Sequence, residues 1–326
     1  MKRNPVFTPL QSGVTLIELM VSLTIGLIIM LAVMSAYLGA AGSGRTAEAI
    51  GRMNEDAQMA LTILSQQLQM AGVNPSQSDR GTTTTPAFNV RGNLVPLHNP
   101  LTNAFAIRGC NLKFSDVTSV ASTASLTCGH SASSAGPDSI SIAYEADQYN
   151  TVATNAGVPT DCMGSGITPL TAIYTKTDGI TTANAIIYEA ENRFYVGTST
   201  SVVNPTLYCK GNASANAQPL IENIDNLQLS YGTSNPASTP TTVLGYLSAY
   251  EVDTEAASGF LTGLAGSATR WNAVKTVRIC VVARSENPVL DTIESAKYRD
   301  CKGALITPPD KRLRRAYSTT VVLRNQ

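Results

Sequence analysis

The stretch Gly13-Val14-Thr15-Leu16-Ile17-Glu18-Leu19-Met20, together with the apolar run behind it, decides the organisation of this chain. From Val14 to Ala41 the sequence carries one charged side chain, that of Glu18, and its other residues are apolar, small or hydroxyl-bearing. At about 1.5 Å per residue, a helix over this run is longer than the roughly 20 residues that cross a bilayer. The sequence therefore predicts a membrane-spanning helix over 14–41.

The residues in front of this helix predict its orientation in the membrane. Lys2 and Arg3 are basic, and no acidic residue occurs before Glu18. Positive charge on this side favours a cytoplasmic N-terminus, with the rest of the chain on the outer side. A cleaved secretory signal peptide fits less well. Its apolar core is about 7–15 residues long and is followed by an A-x-A-like cleavage site, whereas this apolar run is longer and no such site closes it. An uncleaved signal anchor is the simple alternative.

Gly13 is a small residue that looks like a processing site, and Glu18 is a carboxylate within the apolar run. Cleavage after Gly13 would remove a hydrophilic leader, residues 1–13, and make Glu18 the fifth residue of the mature chain. A carboxylate inside a membrane segment costs roughly 3 kcal/mol unless it is paired, and it is usually functional. In a staggered stack of subunits, the new amine of Val14 in one chain could neutralise Glu18 of its neighbour. The alternative is a carboxylate that snorkels to the membrane interface.

Composition limits the classes of function. The 326 residues are 43% hydrophobic, enough for one or two sizeable cores, and 23 basic side chains balance 23 acidic ones. Removal of residues 1–13 would leave 21 basic and 23 acidic side chains, a balance of −2. This balance does not favour general binding of polyanions. The low charge and the abundance of Ser, Thr, Ala, Asn and Gly are typical of an exported, loop-rich β protein.

The cysteines lie beyond the apolar run, on the predicted outer side, where an oxidising compartment favours disulfides. Pairing in chain order is preferred because each pair would then close a local loop, although the spacing does not fix the connectivity. A metal site is not favoured, since there is no C-x-x-C and the histidines are His98 and His130. No cofactor is expected. The candidate disulfide residues are Cys110, Cys128, Cys162, Cys209, Cys280 and Cys301.

The segment 42–74 is predicted to continue the helix in amphipathic form. After Arg45, apolar residues recur every three or four positions as far as Ala71, which is typical of a helix with one buried stripe. Gly72 and then Pro75 end the pattern. A half-buried helix needs a packing partner, and a β domain is the natural one.

The remainder, 75–326, is predicted to form a β-rich globular domain outside the membrane. Long loops with short strands, partly clamped by Cys110 and Cys128, are expected over 75–137. A hairpin turn is expected at Glu191-Asn192, and a core position for Trp271. The fold class is therefore α+β: a long N-terminal membrane-spanning and amphipathic helix packed on a mainly antiparallel sheet. Alternation or β-branched residues predict strands at Ser139–Tyr144, Ile186–Glu189, Arg193–Val196, Thr206–Cys209, Leu227–Tyr231, Val274–Arg284 and Tyr317–Leu323.

The sequence shows no catalytic motif such as a nucleophile elbow or a P-loop, so no enzymatic activity is predicted. Asp138 and Asp147 lie near a strand, but their spacing does not favour a carboxylate pair over simple solubility. The basic run Lys311–Arg315 is either a solvated surface or a salt-bridging face towards another subunit. Nucleic-acid binding is not favoured, because four bases without interleaved aromatics over a longer stretch are weak evidence.

The stretch Ser12–Leu19 resembles the class III leader of type IV pilins and of type II secretion pseudopilins. Its glycine, apolar pair and glutamate have the register of that motif at the start of a membrane helix. In that family a prepilin peptidase cuts after the glycine and methylates the new amino terminus. The resemblance therefore implies cleavage after Gly13, methylation at Val14 and an assembly role for Glu18. Val14 stands where the family usually has phenylalanine.

Further segments resemble the PilW family of minor pilins, namely Glu55–Gly72, Ile221–Gly232, Trp271–Ile279 and Arg312–Asn325. The resemblance implies a non-enzymatic minor pilin that takes part in the assembly and priming of a type IV pilus. Its implied partners are other minor pilins, the major pilin, the prepilin peptidase and the inner-membrane assembly machinery. The implied location is the bacterial inner membrane, as a single-pass precursor with a periplasmic C-terminal domain, and then the pilus at the cell surface.

Two other functions stay open at this point. A J-type minor pseudopilin of type II secretion shares the leader and the helix-plus-β plan, although the C-terminal ending favours the pilus. A pilus-tip adhesin would use the middle region, 75–220, where no family resemblance is found, to bind a surface.

Overall fold

The computed structural model describes residues 13, 15–73, 105–115, 117, 126–129, 136–175, 182–199, 202–234, 242–254, 261, 263–264 and 266–325. It has a long N-terminal helix followed by antiparallel sheets. The predicted α+β class is thereby confirmed. The chain forms two compact units, Met1–Ala49 and Ile50–Gln326.

The first helix, α1, runs from Leu16 to Met70. It begins two residues after the predicted start at Val14 and ends one residue before Ala71, the last position of the apolar pattern. Gly72 caps the C-terminus of this helix. Its φ of 67° lies in the left-handed region, which residues with a side chain rarely adopt and which commonly ends a helix. The chain then leaves the helix directly onto a strand. The amide of Gly72 donates to the carbonyl of Ala143 at 2.9 Å, and the amide of Glu145 donates to the carbonyl of Val73 at 2.8 Å.

The other elements follow in chain order. The short helices are α2 (Ala249–Thr254) and α3 (Ser267–Asn272), with a 3-10 turn at Glu294–Ala296. The strands are β1 (Ile107–Cys110), β2 (Ser139–Glu145), β3 (Leu170–Thr175), β4 (Thr182–Ile187), β5 (Glu189–Gly197), β6 (Thr206–Gly211), β7 (Gln218–Glu222), β8 (Ile224–Thr233), β9 (Gly245–Leu247), β10 (Val274–Arg284), β11 (Tyr298–Arg299), β12 (Leu305–Ile306) and β13 (Arg314–Val322).

These strands form two main sheets. One has five strands in the order β1-β2-β5-β6-β7, and the other has four in the order β13-β10-β8-β9. Two small pairs, β3-β4 and β11-β12, complete the described strands. Neighbouring strands are antiparallel throughout these pairings.

One hydrophobic core joins α1 to both sheets within the second unit. The buried stripe of α1 consists of Met53, Ala57, Ala60, Leu61, Leu64 and Leu68. Alternate residues of β10, such as Val277 and Ile279, are fully buried in the same core. Trp271 is also fully buried, and its ring meets that of Tyr231 edge-on at 4.7 Å, so the prediction of a core anchor is confirmed.

The hairpin turn predicted at Glu191-Asn192 is wrong. Both residues are buried inside β5, which pairs with β2 and β6 rather than with β4. The Asn192 side chain donates to Gln67 Oε1 at 2.9 Å and accepts from the amide of Cys162 at 2.9 Å. Partners far away in the sequence thus allow polar residues inside the strand, and a local pattern cannot show them.

Three disulfides join the cysteines in chain order, Cys110–Cys128, Cys162–Cys209 and Cys280–Cys301. Each fixes a connecting segment to a strand of a main sheet, since Cys110, Cys209 and Cys280 belong to β1, β6 and β10. Much of the predicted loop 75–137, including its threonine run, lies outside the described residues. Within that stretch the structure describes the short strand β1 and a bridge between Phe114 and Cys128, in agreement with the predicted short strands.

Candidate processing and assembly segment

The start of α1 is fixed by Thr15. The amide of Glu18 donates to the carbonyl of Thr15 at 3.1 Å and lies 3.4 Å from its hydroxyl oxygen, and the amide of Leu19 donates to the same carbonyl at 3.2 Å. Thr15 is therefore the N-cap residue. Gly13 is exposed in front of it, while Val14 lies outside the described residues. The helix thus begins directly behind the predicted cleavage point.

Glu18 occupies the third position of the helix and is exposed. Thr15-x-x-Glu18 is the sequence of a capping box. In this motif the acidic side chain accepts a hydrogen bond from the main-chain amide of the N-cap residue. A negative charge at this end is also stabilised by the helix dipole. The pattern and the position of Glu18 thus favour a local role for it in starting the helix. The sequence reasoning missed this role, although the T-x-x-E pattern signals it.

The following turns expose an apolar surface. Leu16 is 78% exposed, Met30 73% and Tyr37 68%. By length and composition α1 can cross a membrane. In its most apolar stretch of 18 residues, no residue is buried against the rest of the chain. A surface of this size is stable only against lipid or against other apolar helices.

Three hydroxyl side chains of this apolar segment, those of Ser22, Thr24 and Ser35, are satisfied within the helix. Ser22 donates to the carbonyl of Glu18 at 2.6 Å, Thr24 to that of Val21 at 2.9 Å, and Ser35 to that of Ala32 at 2.9 Å. Such back-bonding removes the cost of placing a hydroxyl in hydrocarbon.

The later turns of α1 are tied to strands by polar side chains. The hydroxyl of Tyr317 in β13 donates to Asn54 Oδ1. Asn325, which follows β13, donates through Nδ2 to the carbonyls of Gln69 and Ala71. In the other sheet, Asn192 of β5 donates a side-chain hydrogen bond to Gln67 of α1. The helix and its β domain therefore share hydrogen bonds as well as apolar packing.

The basic run Lys311–Arg315 is not a uniform surface. Arg314 is buried, and it bonds Asp225 Oδ2 through Nε and Asp310 Oδ1 through Nη1, each at 2.5 Å. Hydrogen bonding from Arg314 lowers the pKa of Asp310 to about 2. Arg312 donates to the carbonyl of Ser285 at 3.2 Å. A face for another subunit can thus involve Lys311 and Arg315, which are exposed, but not Arg314.

Asp138 and Asp147 serve separate places in the fold. Asp138 is buried, accepts from the amide of Leu229 at 2.8 Å, and has its pKa raised to about 7 by burial. Asp147 accepts from the amides of Tyr149 and Asn150 in a turn. Across the described ranges, no group of three or more His, Cys, Asp or Glu residues is placed to hold a metal ion.

Two family models match this chain. The prokaryotic N-terminal methylation motif matches residues 9–34, and Type IV Pilus-assembly protein W matches residues 193–325. The first match includes Gly13, Val14 and Glu18, and the second runs from β5 to the segment after β13. Comparison with curated proteins gives no match, and neither does comparison with solved structures.

The capped apolar helix, the β domain behind it and these two matches define a type IV pilin-like protein. The resemblance to PilW is confirmed over the C-terminal region, and it begins at residue 193, well before Ile221. The two matches support a type IV pilin-like minor pilin that is involved in pilus assembly.

Proposed function

We propose that the chain is made as an inner-membrane precursor that a prepilin peptidase cleaves between Gly13 and Val14 and then methylates. Segment 14–41 anchors it, with the N-terminus in the cytoplasm and the domain from about residue 75 in the periplasm. The observation that carries this proposal is the helix start at Thr15, directly behind Gly13 and in front of an exposed apolar surface. The match to the methylation motif over 9–34 supports it.

We further propose that the mature chain primes pilus assembly together with other minor pilins and then the major pilin. The exposed apolar residues of α1 would leave the lipid and pack against the helices of neighbouring subunits. Glu18 would pair with the methylated amine of a neighbour, since an exposed carboxylate at this depth needs a cationic partner. The role is structural and needs no cofactor. The match to Type IV Pilus-assembly protein W favours the pilus over the J-type pseudopilin.

The experiment is to determine the N-terminal residue and mass of the chain from sheared pili and from membranes, with and without prepilin peptidase. We expect a chain beginning at methylated Val14 in the pilus fraction when the peptidase is present. Gly13→Leu should block cleavage and keep the chain in the membrane, while Ser12→Ala serves as the matched control. An intact leader in every fraction would show that the helix is a plain signal anchor.

A further inference from the structure

A groove opens on the second unit, between the last turns of α1 and the loop 147–167. Its volume is about 660 Å³. Its lining includes Gln66 and Gln69 of α1, Asn150, Val152 and Asp161 of the loop, and Arg324 beyond β13. The lining is thus rich in amides and carries two charged groups.

The loop that forms one wall is fixed without any ligand. Asp147 accepts from the amides of Tyr149 at 2.7 Å and Asn150 at 2.8 Å. The hydroxyl of Thr160 donates to the carbonyl of Val152 at 2.6 Å, and Cys162 is joined to β6 by its disulfide. A wall that is already ordered loses little conformational entropy when a partner binds.

This fixed loop presents apolar side chains to solvent. Tyr149 is 86% exposed, and Val152, which also lines the groove, is 84% exposed. Tyrosine is enriched among the residues that contribute most to protein–protein interfaces, and an exposed aliphatic side chain gains free energy when a partner covers it. The wall therefore favours a polypeptide partner.

The two charges of the groove have different surroundings. Asp161 is buried, and its Oδ1 accepts from the amides of Met163 and Ser165. Its Oδ2 accepts from the amide of Ala213 and the hydroxyl of Ser214, so the carboxylate is already saturated. Arg324 is exposed, and no acidic partner for its guanidinium is found among the residues that the structure describes. The groove thus offers one positive charge, which complements a carboxylate.

We propose that this groove docks a polypeptide segment of another pilin-like subunit, one that places a carboxylate against Arg324 and an apolar side chain against Val152. A neutral glycan would leave the guanidinium without a charge partner, so a protein is favoured. The inference rests on the proposed function, because assembly is what brings such subunits to this chain.

The test uses the full chain in cells, with a photo-crosslinking residue at Val152 and, as the control, at Val203, which is 80% exposed elsewhere. We expect Val152 to capture a subunit with a class III leader, through a peptide that contains Asp or Glu. Arg324→Glu should reduce this product several-fold, and Arg324→Lys should retain most of it. Changing the captured acidic residue to Lys should restore the product with Arg324→Glu.

The inference is overturned if Val152 captures no more than Val203, if the product is insensitive to Arg324→Glu, or if the captured molecule is a glycan. The N-terminal residue and pilus content are measured in the same cells. Normal processing and incorporation without a Val152 product would refute the docking site alone. An unprocessed wild-type chain would instead refute the proposed function.

Discussion

The side-chain amide of Asn325 donates a hydrogen bond to the main-chain carbonyl of Gln69 at 3.1 Å, across 256 positions of sequence. A second bond reaches the carbonyl of Ala71 at 3.4 Å. Carbonyls in the last turn of a helix have no partner within the helix. The segment after β13 therefore supplies a hydrogen-bond donor to the free carbonyls at the C-terminus of α1.

Replacing Asn325 by Ala should leave these carbonyls without their donor. We expect the free energy of unfolding to fall by about 1 kcal/mol, seen as a lower midpoint in thermal unfolding of the full chain in detergent. Asn325→Asp should destabilise at least as much, because it removes the donor and places a negative charge near the helix C-terminus. Equal midpoints for wild type and both variants would contradict the cap.

The two roles proposed for Glu18, helix capping and charge pairing, can be separated by one substitution. Glu18→Gln retains a side chain suited to a capping box but removes the charge. We expect this variant to insert and be cleaved normally, yet to be missing from sheared pili, as Glu18→Ala would be. Immunoblots of membrane and pilus fractions provide the measurement. If Glu18→Gln is incorporated while Glu18→Ala is not, capping rather than charge is the requirement.

Arg314 should be needed for folding rather than for contact with other subunits. Its side chain is 4% exposed. Within the described part of the chain, its removal would leave Asp225 with only the longer ion pair to Arg284, and Asp310 with only that to Arg312. We expect Arg314→Ala to cost roughly 3 kcal/mol, and Arg315→Ala, the exposed neighbour, to stay within about 0.5 kcal/mol. Chemical unfolding monitored through Trp271 fluorescence provides the measurement.

The Arg314–Asp310 pair also predicts an acid dependence. The pKa of Asp310 is lowered to about 2 from its ordinary value of 3.8. Its contribution is therefore fully present above the unfolded pKa and is lost as the pH falls from about 4 to about 2. Asp310→Asn should flatten this part of the stability curve. An unchanged slope would show that the pair does not hold in solution.

Asp138 predicts the opposite slope at higher pH. Burial raises its pKa from 3.8 to about 7, so between these values the folded chain binds the proton more tightly than the unfolded chain. Stability from this group should fall as the pH rises from about 4 to about 7, by on the order of 4 kcal/mol. Asp138→Asn should reduce the difference in melting temperature between pH 5 and pH 8. Asp291→Asn, an exposed position, should keep the wild-type difference.

Much of the fold could be predicted because its patterns are local. The period of apolar residues predicts α1, and the β-branched run Val274–Arg284 predicts β10 to the residue. Thr15 could have been recognised as an N-cap from the T-x-x-E pattern. Asn192 and Arg314 could not be placed, since each depends on a partner that the fold brings together. Asn192 donates to Gln67, 125 positions away, and Arg314 bonds Asp225, 89 positions away, and such partners give no signal in a sequence window.

The contacts of α1 with β13 also have a mechanical consequence. Tyr317 reaches Asn54 across 263 positions of sequence, and Asn325 reaches the end of the same helix. A pull on α1 therefore loads the edge strand of the four-stranded sheet at two separate points. The helix cannot be drawn away until both contacts and the apolar stripe between them give way together. Under tension, the later turns of α1 and β13 should separate in one step rather than one bond at a time.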